Sequence, residues 1–133
     1  MIELVIVMKI IIATLFGGVI GYEREISRKA AGLRTHILVC LGSTIFTILS
    51  LQAFPGADTS RVAAYIIAGI GFIGAGTVIQ TKEKVIGLTT AASLWITASI
   101  GMAVGSEFYI LALIATIISY FTLKLGRLEK KKR

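Results

Sequence analysis

Apolar residues occupy the chain in long runs separated by short polar breaks. Five runs stand out, at residues 2–22, 35–54, 62–80, 88–105 and 107–125. Each approaches the length of about 20 residues that a helix needs to cross a hydrocarbon core. The pattern predicts an all-α, polytopic membrane bundle of five transmembrane helices over residues 1–125, followed by a basic cytoplasmic tail at 126–133. The breaks carry turn chemistry. Phe54-Pro55-Gly56-Ala57-Asp58-Thr59-Ser60 separates spans 2 and 3, and Asp58, Thr59 or Ser60 can cap the helix that follows.

Span 3 is the least ordinary of the five. Gly69, Gly71, Gly74 and Gly76 crowd its second half and spell Gly-x-Gly-x-x-Gly. A dinucleotide loop needs that motif between a strand and a helix, with an acidic residue about 20 positions on. Here it lies inside an apolar run, and Glu83 comes too early. The alternative is a membrane helix whose small residues let neighbouring backbones approach closely. At 100° per residue, Ala64, Ala68, Gly71 and Ala75 share one face, Gly69 and Gly76 a second, and Gly74 lies on a third. Span 3 is therefore expected at the centre of the bundle, with Gly69, Gly71, Gly74, Gly76 and Gly87 as helix-packing positions. Gly17, Gly18 and Gly21 mark a further close-packing site in span 1.

Span 2 carries a polar stripe. His36, Cys40, Ser43, Thr47 and Ser50 recur at helical spacing and fall in one narrow sector. Such a stripe serves either as hydrogen-bonding glue between helices or as the lining of a hydrated path with His36 at its mouth. In span 4, Thr90, Ser93, Thr97 and Gly101 share a face and read as glue, with Trp95 off it. Span 5 is rich in Ile and Leu. Phe108 and Tyr109 at one end and Tyr120 and Phe121 at the other form an aromatic belt, as expected of a peripheral, lipid-facing helix.

Charge fixes an expected orientation. Of fourteen basic residues, twelve fall in the span 1–2 loop, the span 3–4 loop and the tail, all on one side of a five-span chain. The positive-inside rule then puts the N-terminus outside and the C-terminus in the cytoplasm. Lys9 lies near the outer end of span 1, where its stem can snorkel to the interface. With Glu3 at the extreme end and no small-x-small cleavage site, the N-terminus is expected to remain as span 1.

Composition narrows the classes further. In 133 residues, 56% are hydrophobic and the mean hydropathy is +0.88, outside the range of soluble domains. The net charge of +7 lies between apolar spans and suits contact with the lipid bilayer, not nucleic acid. The single cysteine, Cys40, excludes an intrachain disulfide and a cysteine-rich metal site. No catalytic set, cofactor loop or metal-ligand spacing is present, so the expectation is a protein that is not an enzyme and needs no cofactor.

Chemistry is expected at the cytoplasmic mouth of the bundle, from Glu23, Glu25, Arg34, Thr35, His36, Thr89 and Thr90. Glu23 and Glu25 have two readings: exposed pairing with Arg24, Arg28 or Lys29, or an inward turn as a cation ligand or as a partner of Arg34. Gly32-Leu33-Arg34-Thr35 and Gly87-Leu88-Thr89-Thr90 follow Gly21 and Gly76 at equal distance. Spans 1–2 and 3–4 would then be parallel two-helix repeats.

Four segments together resemble the MgtC/SapB family: Gly21-Tyr22-Glu23-Arg24-Glu25, Ala31-Gly32-Leu33-Arg34-Thr35-His36-Ile37-Leu38-Val39, Gly69-Ile70-Gly71-Phe72-Ile73-Gly74-Ala75-Gly76-Thr77 and Gly87-Leu88-Thr89-Thr90-Ala91-Ala92-Ser93-Leu94-Trp95. The resemblance implies a multi-pass protein of a bacterial or archaeal inner membrane, tied to adaptation to low magnesium and, in some pathogens, to survival in host cells. It implies a regulator of other membrane proteins, with transport of a cation such as Mg²⁺ or of a small solute as the alternative. Longer members continue into an ACT-like cytoplasmic domain, and this sequence corresponds to a short form consisting of the transmembrane domain. Some members carry asparagine at the position of Thr89. A bundle this thin is expected to form a homodimer, with a membrane-protein partner beyond it.

Overall fold

The computed structural model describes residues 1–132. Five helices follow in order: α1 (Ile2–Ile26), α2 (Leu33–Gln52), α3 (Ser60–Ala75), α4 (Leu88–Gly105) and α5 (Tyr109–Lys131). Between α3 and α4 lies an antiparallel hairpin, β1 (Ile79–Gln80) paired with β2 (Val85–Ile86), which the apolar pattern did not announce. Helices α1, α2, α4 and α5 are long and apolar enough to cross a membrane. Helix α3 is shorter than the expected span 62–80. It has 16 residues, about 24 Å of rise, and ends where Gly74, Gly76 and the Thr77 turn break the helical pattern.

Helix α2 is the axis of the packing. It lies between α1 and α4, and α5 closes α1 and α4 on the side away from α2. The main apolar core runs through Ala13, Ile20, Cys40, Ile100, Val104 and Ala112. A second cluster of Ala31, Ile70, Leu94 and Ala98 joins α3 to α4.

The expected centrality of α3 is not found. Only Ile70 and Gly74 are buried along it. A Cβ added at Gly69 or Gly71 would meet nothing within 4 Å, and one at Gly76 would meet only carbonyls of its own last turn. Of the α3 glycines Gly74 alone faces a neighbouring helix, where an added Cβ would lie 3.5 Å from the Ala91 Cβ. The close approaches belong to α1 and α4. A Cβ at Gly17 would lie 2.7 Å from the His36 carbonyl oxygen, one at Gly21 2.8 Å from the Leu33 Cα, and one at Gly105 2.7 Å from the Thr47 Cβ. At Gly101 it would overlap the Cys40 carbonyl. Gly17–Gly21 and Gly101–Gly105 are both Gly-x-x-x-Gly pairs, the spacing that stacks two glycines on one helix face.

Helices α1 and α4 end alike. Arg28 and Glu107 adopt left-handed backbones at φ 52° and 69°. The Lys29 and Phe108 N–H groups reach back to the Arg24 and Ala103 carbonyls, the Schellman arrangement that normally takes glycine. Glu107 has a compensating role. Its carboxylate sits 3.0 Å from the Lys9 Nζ, which also donates to the Gly105 carbonyl at 3.0 Å. Lys9 is thus buried against the α4–α5 turn instead of snorkelling outward.

Candidate functional site

The last turns of α1 bring two adjacent charges, Glu23 and Arg24, to one end of the bundle, and both are buried. A buried carboxylate is stable only with partners that replace water. Glu23 has three. Ser27, one turn on, donates its hydroxyl to Oε1 at 2.6 Å. Arg127 of α5 approaches Oε1 with Nε at 3.4 Å and also donates to the Glu23 carbonyl at 3.1 Å. Arg24 holds Oε2 with Nη1 at 3.4 Å. The Arg127 Nε also donates to the Ser27 hydroxyl at 2.7 Å, so α5 is tied to the end of α1 through two residues.

From Arg24 the polar chain crosses into α4. Its Nη2 donates to the Thr90 hydroxyl at 3.4 Å. The Thr90 carbonyl faces the Ser93 hydroxyl at 2.7 Å, and that hydroxyl lies 2.9 Å from His36 Nε2 on α2. His36 Nδ1 sits 2.8 Å from the Gly32 carbonyl, which can only accept, so Nδ1 carries the hydrogen. Ser93 donates its one hydrogen to the Thr90 carbonyl, and its oxygen faces His36 Nε2. One contiguous network therefore joins α5, α1, α4 and α2.

Glu25 stands apart from it. It is exposed, and its carboxylate accepts the Leu33 N–H at 2.8 Å, capping the start of α2 across the loop. This explains Gly32, where a Cβ would fall on that carboxylate. Gly87 does an analogous task for α4 by other means. It adopts φ 92°, and a Cβ there would strike the Thr77 carbonyl, so it fits the hairpin to the helix and does not pack two helices together. Gly32 and Gly87 both precede a helix, but the connections that lead to them differ.

The expected pairing of Glu23 or Glu25 with Arg34 does not occur. Arg34 is exposed and outside the ion pairs formed among the described residues, because the α1 end turns Glu23 toward α5. Thr35 is half-buried, Thr89 is exposed, and Thr90 and His36 are in the network. Four of its members, Arg24, Ser27, Ser93 and Arg127, were not among the expected site residues, although Ser93 was read as glue on the α4 face. Ser27 lies one turn beyond Glu23 and was legible at that spacing. Nothing in the pattern singled out Arg127 from the other basic residues near it.

The α2 stripe is buried throughout and bonds to carbonyls. Ser43 donates to the Ala98 carbonyl at 2.6 Å, and Thr47 to its own Ser43 carbonyl at 2.8 Å. Ser50 donates to the Thr59 carbonyl at 3.0 Å, and Cys40 is a buried free thiol. Thr44, off the expected list, lies 2.9 Å from both the Cys40 and Gly101 carbonyls. The Ser43 and Thr44 bonds to the Ala98 and Gly101 carbonyls are the glue that polar side chains supply between membrane helices, while Thr47 bonds within α2. Among the described residues no three His, Cys, Asp or Glu side chains come together as a metal site.

Two concavities flank these elements. One, of about 620 Å³, is an apolar groove between α2 and α3 bordered by Phe46, Tyr65 and Gly69. The other, of about 850 Å³, opens where α1 and α5 end and includes Arg24 and Arg127 in its wall.

Apolar helices of spanning length, with Lys9, Glu23, Arg24 and the α2 hydroxyls buried among them, define a multi-pass membrane protein. The chain belongs to the MgtC family, whose model matches residues 10–131. It is 40% identical over 126 residues to the putative magnesium transporter YhiD of Escherichia coli K12, covering 89% of this chain and 59% of that protein. It is 45% identical to Protein SapB of Bacillus subtilis over 113 residues, 78% of this chain and 49% of SapB. With Protein MgtC of Brucella abortus it shares 42% over 105 residues, 79% of this chain and 44% of that protein. The chain thus spans about half the length of the curated relatives it matches. No solved structure matches it.

Proposed function

We propose that this chain is a non-enzymatic regulator of other membrane proteins, linked to magnesium homeostasis. It acts from a bacterial or archaeal plasma membrane, as a homodimer with its C-terminus in the cytoplasm. The observation that carries the reading is the fate of the polar stripe. Ser43, Thr44 and Ser93 are engaged inside the protein, so α2 and α4 present glue and no polar path. Gly69 and Gly71 on α3 lie open, where a partner helix can approach closely. The gathering of basic residues at the end of α1 and α5 supports the orientation.

A second reading, transport of Mg²⁺, is favoured by the name of the Escherichia coli relative, a putative magnesium transporter. One pair of measurements separates the two. The regulator reading expects no Mg²⁺ flux above background from purified protein in liposomes under either gradient. It also expects a specific membrane protein to co-purify from native membranes. Flux that depends on the protein, with no partner recovered, sinks it.

A further inference from the structure

We propose that the cleft at the joined ends of α1 and α5 holds the phosphate of an anionic phospholipid headgroup. Its wall carries four cations, Arg24, Lys29, Arg127 and Lys130, against one carboxylate, Glu129. Beneath it, Glu23 alone faces both the buried Arg24 and the half-buried Arg127, so the cluster keeps a surplus positive charge before the lysines are counted. Arg24 is the pointer. Its side chain is about 3% exposed, it lines the cleft, and its Nε has no hydrogen-bond partner among the described residues. A buried guanidinium N–H without an acceptor is costly, and a phosphate oxygen is the acceptor that guanidinium geometry suits.

The lysines tell the same story from the rim. Partial desolvation, and then the neighbouring Lys130 and Arg24, hold the Lys29 ammonium below the usual lysine range. An anion between them relieves that crowding.

The apolar share of the wall selects a lipid over a free oxyanion. Ile26 and Leu125 line the cleft beside the cations. Above it α5 exposes Ile114, Ile118 and Phe121, a continuous rail for acyl chains. A soluble phosphate needs no such rail. The inference holds whether the protein regulates or transports, since it rests only on the chain lying in a bilayer.

The test uses the purified chain in detergent, titrated with dioleoyl-phosphatidylglycerol or dioleoyl-phosphatidylcholine and read by native mass spectrometry. The phosphatidylglycerol adduct is expected to dominate. Lys29 and Lys130 are exposed and outside the Glu23–Arg24–Arg127 ion pairs, so K29Q/K130Q keeps the fold. It is expected to weaken phosphatidylglycerol binding about thirtyfold, at roughly a fivefold loss per lysine near a membrane surface. K82Q/K84Q removes equal charge from the hairpin and is expected to change nothing. Equal binding of the two lipids overturns the proposal, as does equal loss in both double variants. So does displacement of the lipid by millimolar inorganic phosphate, which would make a soluble oxyanion the occupant.

Discussion

Two glycine-rich regions of this molecule look alike in sequence and behave oppositely. In α3, Gly69 and Gly71 face open space, and the helix meets the bundle through Ile66, Ile70 and Gly74, not through its other glycines. Along the seam of α2 with α1 and α4, Gly17, Gly21, Gly101 and Gly105 sit where a Cβ cannot fit without movement. The difference is spacing and what lies opposite. The seam glycines come in i, i+4 pairs and face the α2 stripe, whose hydroxyls bond across the gap that the missing side chains leave. The α3 glycines are spread over several faces, and Gly69 and Gly71 meet no helix of this chain. Glycine density marks flexibility of use, whereas glycine pairing opposite small polar residues marks contact.

The largest test of that contrast lies at the end of the seam. Glu23→Gln leaves Arg24 buried with no countercharge and loosens Arg127 from α1. The expected cost is about 3 kcal/mol, at the low end for breaking a buried pair because Arg127 is partly solvated. Glu83→Gln, on the exposed hairpin beyond α3, is expected to leave stability unchanged. Unfolding by sodium dodecyl sulfate in mixed micelles measures both. Equal midpoints for the two variants would show that the triad contributes nothing to the fold.

Next in size is a steric comparison. Gly101→Val drives a branched side chain into the Cys40 carbonyl and Ser43, and overpacking of this kind costs about 2 kcal/mol. Gly71→Val enters empty space and is expected to shift the same midpoint little. Should Gly71→Val prove the worse of the two, α3 is packed in the membrane by something outside this chain.

The helical runs themselves were legible, because burial in lipid imposes an apolar run whose length is set by the bilayer. Four of the five helices follow from that constraint alone, and the α2 stripe was found by its period. The end of α3 was not legible. Residues 76–80 are apolar enough to extend a helix, and only the turn bonds of Gly76, Thr77 and Val78 and the left-handed Gly87 divert the chain into a hairpin. The site was half legible. Glu23 and His36 could be picked out as ionisable groups at a membrane boundary. Their partners come from α5 and α4, and long-range pairing leaves no periodic trace in the sequence. Glu25 looked equivalent to Glu23, yet two residues of helix rotation turn it to the opposite, outer side, where it caps α2.

A smaller effect probes the glue. Ser43→Ala removes the bond to the Ala98 carbonyl, and hydrogen bonds between membrane helices average about 0.6 kcal/mol. Ser99→Ala, whose hydroxyl reaches only its own Trp95 carbonyl at 3.2 Å, is expected to be neutral. If the stripe lined a water path instead, Ser43→Ala would alter permeability and leave the unfolding midpoint alone.

The smallest expected change carries the opposite sign. Gly69 lies mid-helix with nothing near it, so Gly69→Ala adds no clash and removes the conformational freedom that makes glycine a poor helix residue. The expected gain is about 0.5 kcal/mol in a dilute micelle, where one chain occupies each micelle. The same variant measured at rising protein-to-lipid ratio separates two accounts of α3. A gain that persists means that its glycine face meets only lipid. A gain that turns into a loss as chains are brought together means that a second helix seats on Gly69, because only a close backbone neighbour makes one methyl group unfavourable there.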